Sequence, residues 1–343
     1  MEGRKIRNME EFAAVAGISR PTVSKYFNDP ESVKKSTRAR IEAALEQHDY
    51  RPNIFAMNQN RRSTKNIGIV VPYLADPVFA EIARVTERRC IDAGFWPILL
   101  SSHGERELEN DALDGLRSLR VAGALIAPLG RQSDRSAVEQ FCDDVPTVLV
   151  DSDLEGLGQA FIGSDNKQFV THMVDYLCRT GEAPCFFDMA TPVNPNAFRR
   201  RNAYVAVMEA MGRQPEVISV PGEHWNFEMI GYLGGKAAIE ERRFRTGTVL
   251  CSNDRLAIGL LTAAYEKGLR VGRGSGSALR IAGLDDHPFS RFTCPPLTTL
   301  AHDFTQIGER SVEILFKVLE NGGQVAEREL TRLEGRLVMR DSA

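Results

Sequence analysis

One short segment, residues 19–28, carries hydrogen-bond donors and acceptors at helical spacing. Val23 and Phe27 are four residues apart, so a helix places both on one buried face. The opposite face carries polar, basic and small side chains, namely Arg20, Pro21, Thr22, Ser24, Lys25 and Asn28. Such a face suits the base edges of the major groove of DNA. The segment predicts a DNA-reading helix, and the alternative is a plain three-helix bundle with a solvated polar face.

A second set of polar residues follows predicted strands and could bind a small polar ligand. These residues are Asp76, Asp151, Asn253, Asp254 and Asp285, together with the arginines Arg199, Arg200 and Arg201. Ligands of open α/β sheets bind outside the carboxyl ends of the strands. Carboxylates, amides and guanidinium groups can satisfy the hydroxyl groups that such a ligand buries. The alternative for the three arginines is a solvated helix face.

The elements that hold the first segment are predicted from helix start and stop signals. Asn8 caps a helix that ends at Gly17, and Ser19 caps a second helix with Pro21 in its first turn. A third helix begins near Ser36 and contributes Ile41, Ala44 and Leu45 to a small core. The expected arrangement is a helix-turn-helix.

The rest of the chain alternates short apolar runs with helical stretches. This pattern predicts parallel sheets that are covered on both faces, and the strands are too many for one modest sheet. The runs are 67–72, 96–102, 121–128, 146–151, 183–189, 216–220, 246–253 and 279–286.

Charge is unevenly distributed along the chain. Residues 1–65 contain 13 basic and 8 acidic residues, whereas the whole chain has a net charge of -3, so a basic head precedes an acidic body. This asymmetry predicts an anionic partner for the head alone. The start has no apolar signal region and no run is long enough to span a membrane, so we expect a cytoplasmic protein with no membrane partner. The six scattered cysteines are expected to be buried core thiols.

An enzyme is the main competing class. The glycine-rich segment 272–277 follows a predicted helix and precedes a strand, the reverse of a phosphate-binding loop. The sequence has no nucleophile elbow, and its six histidines lack metal-ligand spacing. We therefore expect no catalytic activity, cofactor or metal. A secreted solute-binding protein would share the body but lack the head, and a DNA-binding protein without ligand control would share the head.

The sequence resembles the LacI/GalR family of transcription regulators. The resemblance is carried by the run from Phe12 to Asn28, by Thr37-Arg38 and by Tyr50-Arg51-Pro52-Asn53, and it continues to about Val338. The resemblance implies a regulator, by expectation a repressor, that binds a pseudo-palindromic double-stranded operator as a homodimer. It implies a multidomain chain with a small all-α helix-turn-helix head (1–51), a hinge (52–65) and a two-lobed α/β body (66–343) like the type I periplasmic binding proteins. By the same resemblance, Arg20, Pro21 and Lys25 read bases, whereas Ser19, Thr22, Ser24 and Asn28 mainly contact phosphates.

The hinge departs from the pattern of the resembled family. In that family the hinge folds on DNA, and a leucine three residues after the hinge alanine inserts into the minor groove. Asn53 and Ala56 match the family's hinge contacts, but Gln59 stands in the place of the leucine. An amide cannot act as an apolar wedge, although it can bond minor-groove acceptors, and Phe55 or Met57 could supply the insertion instead. The alternative is a solvated linker.

The resemblance also implies a small effector, by expectation a sugar or sugar derivative, that is bound between the lobes. The lobe near the DNA would comprise 66–162 and 292–320, and the distal lobe 163–291 and 321–343. The implied effector contacts are Phe79, Asp151, Arg200, Trp225, Asn253, Asp285 and His302. For Phe79 and Trp225 the alternative is ordinary core, and for His302 a hydrogen-bonded structural histidine.

Overall fold

The computed structural model describes residues 6–48, 50 and 64–343 of the 343-residue chain. The chain divides into two compact units, Met1–Thr64 and Lys65–Ala343, which are described separately below as the head and the body.

The head contains three α-helices at the predicted places. Helix α1 is Met9–Ala16, α2 is Arg20–Asn28 and α3 is Lys35–His48. The Asn8 side chain accepts from the Glu11 N–H, which caps α1, and Gly17 ends that helix with a φ of 65°. A left-handed residue closes a helix most easily when it is glycine. The predicted start and stop signals of α1 are therefore confirmed.

A small apolar core holds the three helices together. Phe12, Val23 and Ile41 are fully buried, one from each helix. Tyr50 stacks on Phe12 with 4.6 Å between the ring centroids. The predicted inward residue Phe27 packs against this cluster while remaining partly exposed. Burial of Val23 fixes the rotation of α2 and leaves its polar face toward solvent.

The body is built from parallel sheets and the helices that connect their strands. The strands are β1 (Asn66–Val71), β2 (Trp96–Ser101), β3 (Gly123–Ile126), β4 (Thr147–Val150), β5 (Ala160–Ser164), β6 (Cys185–Met189), β7 (Val217–Val220), β8 (Thr248–Cys251), β9 (Arg280–Ala282), β10 (Thr299–Ala301), β11 (Glu329–Leu333) and β12 (Arg336–Val338). The helices are α4 (Pro77–Asp92), α5 (Arg106–Ser118), α6 (Arg135–Asp144), α7 (Asn166–Thr180), α8 (Pro195–Ala210), α9 (Phe227–Glu240), α10 (Asp254–Glu266) and α11 (Phe304–Glu320).

Two parallel sheets define two lobes. The first lobe contains the strand order β11-β5-β4-β3-β1-β2, and the second contains β7-β6-β8-β9. A separate antiparallel pair joins β10 to β12. Each of the eight predicted apolar runs contains one strand, and the central strands β3, β4, β6 and β8 are completely buried. The predicted α/β body with helix-covered parallel sheets is confirmed.

The predicted partition of the lobes is wrong for β11, whereas Ser342 and Ala343 at the end of the chain pack with the second lobe as expected. Residues 321–343 were expected in the distal lobe, but β11 pairs in parallel with β5 of the first lobe, from Glu329 opposite Ala160 to Leu333 opposite Ser164. Helix α11 packs on α4 and against β3, β4 and β5, so the chain leaves it beside the first sheet. The strand that follows covers the edge of β5, which satisfies backbone groups that an open edge would expose.

The cysteine prediction is correct only in part. Cys90, Cys142, Cys185 and Cys251 are buried, whereas Cys178 is half-buried and Cys294 is exposed. Within the described residues, no helix combines the length and the apolar character that crossing a membrane requires.

Candidate functional sites

Helix α2 presents the predicted DNA-reading face. Arg20, Pro21 and Lys25 are exposed, and Thr22 and Ser24 are partly exposed. The Ser19 side chain accepts from the Thr22 N–H at 3.4 Å and lies 2.8 Å from the Thr22 hydroxyl. This cap and the buried Val23 fix the start and the rotation of the helix. Both basic residues therefore project from a positioned scaffold, as contacts to base edges require.

Four predicted DNA contacts lie outside the described residues. They are Asn53, Ala56 and Gln59 of the hinge and the side chain of Asn28, the last residue of α2. Their assigned roles stay predictions.

A cavity of about 510 Å³ opens between the two lobes of the body, at the carboxyl ends of β1, β8 and β9. Two predicted effector residues, Asn253 and Asp285, line it. The other lining residues are Ala75, Asp76, Pro77, Val78, Ala80, Glu81, Arg84, Asn194, Phe227, Arg255, Asp286, His287, Pro288 and Phe304. A volume of this size suits a small ligand.

Among the described residues, Asn253 and Asp285 each have one side-chain polar atom without a hydrogen-bond partner. The Asn253 Oδ1 caps α10 by accepting from the Leu256 N–H, and its Nδ2 makes no hydrogen bond among the described residues. The Asp285 Oδ1 accepts from Arg200, while its Oδ2 accepts no hydrogen bond within the described part of the chain. The cavity wall thus offers an amide donor and a carboxylate acceptor to a ligand.

Arg200 is buried behind Asp285 and is fully hydrogen-bonded within the protein. Its Nε donates to Asn166 Oδ1, its Nη1 donates to the carbonyl oxygens of Ser252 and Leu284, and its Nη2 donates to Asp285 and His302. An arginine has five N–H donors, so none is free here. Burial raises the pKa of Asp285, but the nearby Arg200 guanidinium opposes it, and the pKa lies below its ordinary value.

His302 is a buried, hydrogen-bonded histidine. Its Nε2 lies 3.1 Å from the Arg200 Nη2 and 3.3 Å from the Asp285 Oδ1. When Nε2 accepts from the guanidinium, the neutral ring carries its hydrogen on Nδ1 and donates to the Ser164 Oγ, 2.6 Å away. Burial, assisted by the charge of Arg200, lowers the pKa of His302 to about 4. The geometry matches the structural alternative, and contact with an effector stays a prediction.

Asp151 joins the same buried network through two asparagines. The Asn196 Nδ2 donates to Asp151 Oδ2 at 2.9 Å, and the Asn166 Nδ2 donates to Asn196 Oδ1 at 3.1 Å. Burial raises the pKa of Asp151 to about 6, although Arg200 opposes the shift. The fold therefore brings together four predicted residues, Asp151, Arg200, Asp285 and His302. Sequence reasoning missed Ser164, Asn166 and Asn196, and the position of Asn166 and Asn196 in the first turns of α7 and α8 is the signal that could have indicated them.

The two aromatic residues among the predicted effector contacts, Phe79 and Trp225, pack against each other. The rings of Phe79 and Trp225 meet edge to face with 5.8 Å between centroids, and Trp225 also stacks on Tyr73 at 5.5 Å. Both predicted residues are almost completely buried. Asn226, the residue after Trp225, precedes α9 without capping it through its side chain. The geometry matches the core alternative, and direct contact of these rings with an effector stays a prediction.

An ion pair across the cavity also escaped sequence reasoning. The Arg255 Nη1 donates to Asp76 Oδ2 at 3.0 Å, and the Arg255 Nε and Nη2 bind both oxygens of Glu228 at 2.7 Å. Burial raises the pKa of Asp76 although Arg255 opposes the shift. The spacing could have indicated each member separately, since Asp76 precedes Pro77 at a helix start and Arg255 follows the Asn253-Asp254 pair.

The cations at the cavity are already paired. Arg84 binds Glu81 at 2.8 and 2.6 Å, and Arg255 binds Glu228 and Asp76. His287 accepts from the Phe289 N–H through Nδ1, and burial lowers its pKa. Among the described residues the lining therefore offers no unpaired cation to a phosphate or carboxylate. No cluster of three or more metal-ligating side chains occurs in the described part of the chain.

Family models match both units of the chain. Residues 8–53 match the model described as bacterial regulatory proteins, lacI family, and residues 183–343 match the periplasmic binding protein-like domain.

Whole-length relatives agree with this division. The chain is 27% identical to the ribose operon repressor of Escherichia coli strain K12, over 90% of this chain and 91% of that protein. It is 29% identical to the transcriptional regulator MalR of Streptomyces coelicolor, over 97% of this chain and 96% of that protein. Its fold matches the crystal structure of the Lac repressor dimer bound to operator and the anti-inducer ONPF, with a TM-score of 0.83, 27% identity and 99% coverage of both chains. With a lacI-type head, a periplasmic-binding-protein-like body and these relatives, the chain belongs to the LacI/GalR family of transcriptional regulators.

Proposed function

We propose that the chain is a repressor that binds a pseudo-palindromic operator as a homodimer. The observation that carries the proposal is the exposed face of α2, where Arg20 and Lys25 project from a helix that Ser19 and Val23 hold in place. The base contacts would come from Arg20, Pro21 and Lys25, and the phosphate contacts from Ser19, Thr22, Ser24 and Asn28. The hinge would lie at the minor groove through Asn53, Ala56 and Gln59. A regulator of operators works where the chromosome lies, so the proposal includes a cytoplasmic location.

The dimer is supported by exposed aromatic side chains on the body. Phe289 precedes a short 3-10 helix and Phe292 is its last residue, and the two are 67% and 77% exposed. Large exposed apolar side chains are typical of surfaces that another protein covers. The related Lac repressor was crystallised as a dimer on its operator.

The operator proposal is tested by binding-site selection from random duplex DNA with the full chain. We expect an enriched site with two inverted half-sites, because one helix reads only a few base pairs and a two-fold dimer reads two of them. Enrichment of single, unpaired half-sites would contradict the dimeric reading, and no enrichment would contradict the operator proposal.

The effector of the proposed repressor is an uncharged sugar or sugar derivative that binds in the 510 Å³ cavity. The Asn253 amide and the Asp285 carboxylate can pair with vicinal hydroxyls, and the absence of an unpaired cation among the described lining residues disfavours a sugar phosphate. One relative is named for the ribose operon, which agrees with this class, and the related Lac repressor was crystallised bound to ONPG. The other predicted effector residues would support the site from behind, or would contact the effector after a rearrangement of the lobes. They are Phe79, Asp151, Arg200, Trp225 and His302.

A thermal-shift screen of sugars, matched sugar phosphates and nucleobases tests the effector class. A ligand that binds only the folded state raises its stability by RT ln(1 + [L]/Kd). We expect stabilisation by a neutral sugar and a smaller shift with its phosphate. The reverse order would contradict the class.

A further inference from the structure

Arg255 connects the two lobes of the body at the edge of the cavity. Arg255 lies in the first turn of α10 in the second lobe, whereas Asp76 lies in the loop after β1 in the first lobe. The Arg255 side chain is 13% exposed and that of Asp76 is 6% exposed. A pair this shielded is screened by salt much less than a surface pair.

The second lobe orients the guanidinium before it reaches Asp76. Glu228 holds Nε and Nη2 in a two-pronged contact, and the plane lies 5.0 Å from the centroid of the Phe227 ring. A guanidinium fixed in this way loses little side-chain entropy when its remaining Nη1 bonds a third group. The second lobe thus holds the Nη1 of Arg255 in position to donate to an acceptor on the first lobe.

Asp76 is equally tied to the first lobe. Its Oδ1 caps α4 by accepting from the Val78 N–H at 3.0 Å, while its Oδ2 accepts from Arg255. A displacement of α4 from α10 therefore has to break the bond to Arg255, because each partner is anchored to its own helix. Separation of the lobes thus exchanges a shielded, doubly anchored ion pair for two hydrated charges, and the pair opposes that opening because salt screens it less than a surface pair.

We infer that Asp76 and Arg255 form an ionic clamp that holds the two lobes together without effector, and that the clamp limits entry to the cavity it borders. The control of effector entry rests on the proposed function, whereas the contact between the lobes requires neither DNA nor effector. Effector would enter by shifting the lobes away from the clamped arrangement, so a weaker clamp would speed its association.

The molecule contains a natural reporter of this contact. Trp225 of the second lobe packs on Tyr73 and Phe79 of the first and is 4% exposed, whereas Trp96, the second tryptophan of the chain, is 60% exposed. A Trp96→Phe background leaves Trp225 as the single tryptophan. Its acrylamide quenching then measures how far the lobes separate.

The experiment compares Asp76→Asn, Arg255→Met and the double variant in full-length Trp96→Phe protein, without DNA or effector. Asparagine can keep the cap of α4 while removing the charge. We expect each single variant to raise the quenching constant of Trp225 by about twofold or more, and the double variant to add little, because either change removes the same pair. Arg84→Met is the matched control, since Arg84 also lines the cavity but pairs with Glu81 of its own helix, and it should leave quenching unchanged.

Unchanged quenching in Asp76→Asn, in protein with native circular dichroism, would overturn the clamp. So would additive effects of the two single variants. If Arg255→Met fails to fold, Asp76→Asn decides alone. Operator selection on the same preparations keeps the two proposals separate, because a repressor without a clamp would still select a site and a clamped body without operator binding would still protect Trp225.

Discussion

Arg200 donates through Nη2 to Asp285 Oδ1 at 2.8 Å, across 85 residues of sequence and between α8 and the loop that follows β9. The other four N–H groups of the guanidinium are bound to the protein as well. Asp285 lines the cavity and Arg200 lies behind it. In this structure the arginine therefore orients a carboxylate at the cavity wall, and an effector hydroxyl that reached Arg200 would have to replace a protein partner.

This geometry predicts a structural cost for Arg200→Ala. The change leaves the buried Asp285 carboxylate without its counter-charge, and losses from a broken buried ion pair are about 3–5 kcal/mol. Urea unfolding of the full chain measures the loss. Arg179→Ala is the control, because its pair with Asp175 lies on the surface, with the arginine 78% exposed, and such pairs contribute at most about 1 kcal/mol. A loss for Arg200→Ala as small as that of the control would contradict the network.

Local signals in the sequence predict much of the fold, because caps, glycine stops and apolar runs act within a few residues. Asn8, Gly17 and Ser19 bound the helices of the head as expected. The lobe of β11 could not be predicted in this way, since its partner β5 lies more than 160 residues earlier and parallel pairing leaves no local mark.

The site follows the same division between local and distant information. Strand-end position identified Asp151 and Asp285, and the family resemblance selected Arg200 from a run of three arginines and added His302. The fold joins these four residues in one network. Distant pairing could not be anticipated, and Asp76 meets Arg255 across 179 residues. Burial also depends on the whole fold. The hydroxyl, amide and carboxylate partners of Arg200 and His302 therefore cannot be identified from the residues that neighbour them in sequence.

Asn253→Ser tests the cavity as the effector site. Serine is as good a helix cap as asparagine, so α10 should keep its start, but the amide donor Nδ2 is lost. Once the screen has identified an effector, calorimetry should give an affinity about tenfold weaker, since one hydrogen bond to a buried ligand group contributes about 1–1.5 kcal/mol. Unchanged affinity with unchanged stability would place the effector elsewhere.

Arg20→Ala and Lys25→Ala test the DNA-reading face. Each should cost about 1–3 kcal/mol on the selected operator and relax the base preference at one position of each half-site. Arg40→Ala is the control within the head. The Arg40 side chain donates to the carbonyl oxygens of Ala16 and Gly17, so its loss should affect the stability of the head and not its base preference. Retention of full selectivity by both variants of α2 would refute the assignment of that helix.

Gln59→Leu tests the hinge, whose residue 59 lies outside the described residues. A leucine there should raise operator affinity and DNA bending, because an apolar side chain can enter and unstack a base step where an amide cannot. Circular-permutation electrophoresis or fluorescence energy transfer on labelled operators measures the bend. Equal bend angles in the two proteins would mean that residue 59 is not the wedge.

The last prediction concerns pH and the buried Asp254 beneath the cavity. Its carboxylate accepts from the His287 N–H and from the hydroxyls of Ser290 and Thr299. Burial, reinforced by the negative charge of Asp285, raises the pKa of Asp254 to about 7 against those hydrogen bonds.

A carboxyl group whose pKa is raised by folding stabilises the folded state at low pH, and that contribution is lost as the pH rises through the folded pKa. The stability advantage of the parent over Asp254→Asn should therefore grow by about 1 kcal/mol when the pH falls from about 8 to about 6. Comparing the two proteins at each pH cancels the opposing titration of His302, whose pKa is lowered to about 4. Asp114→Asn, at an aspartate whose side chain is 76% exposed, should show no such trend. An advantage that is flat across this range would mean that Asp254 is charged throughout, held so by its three donors despite its burial.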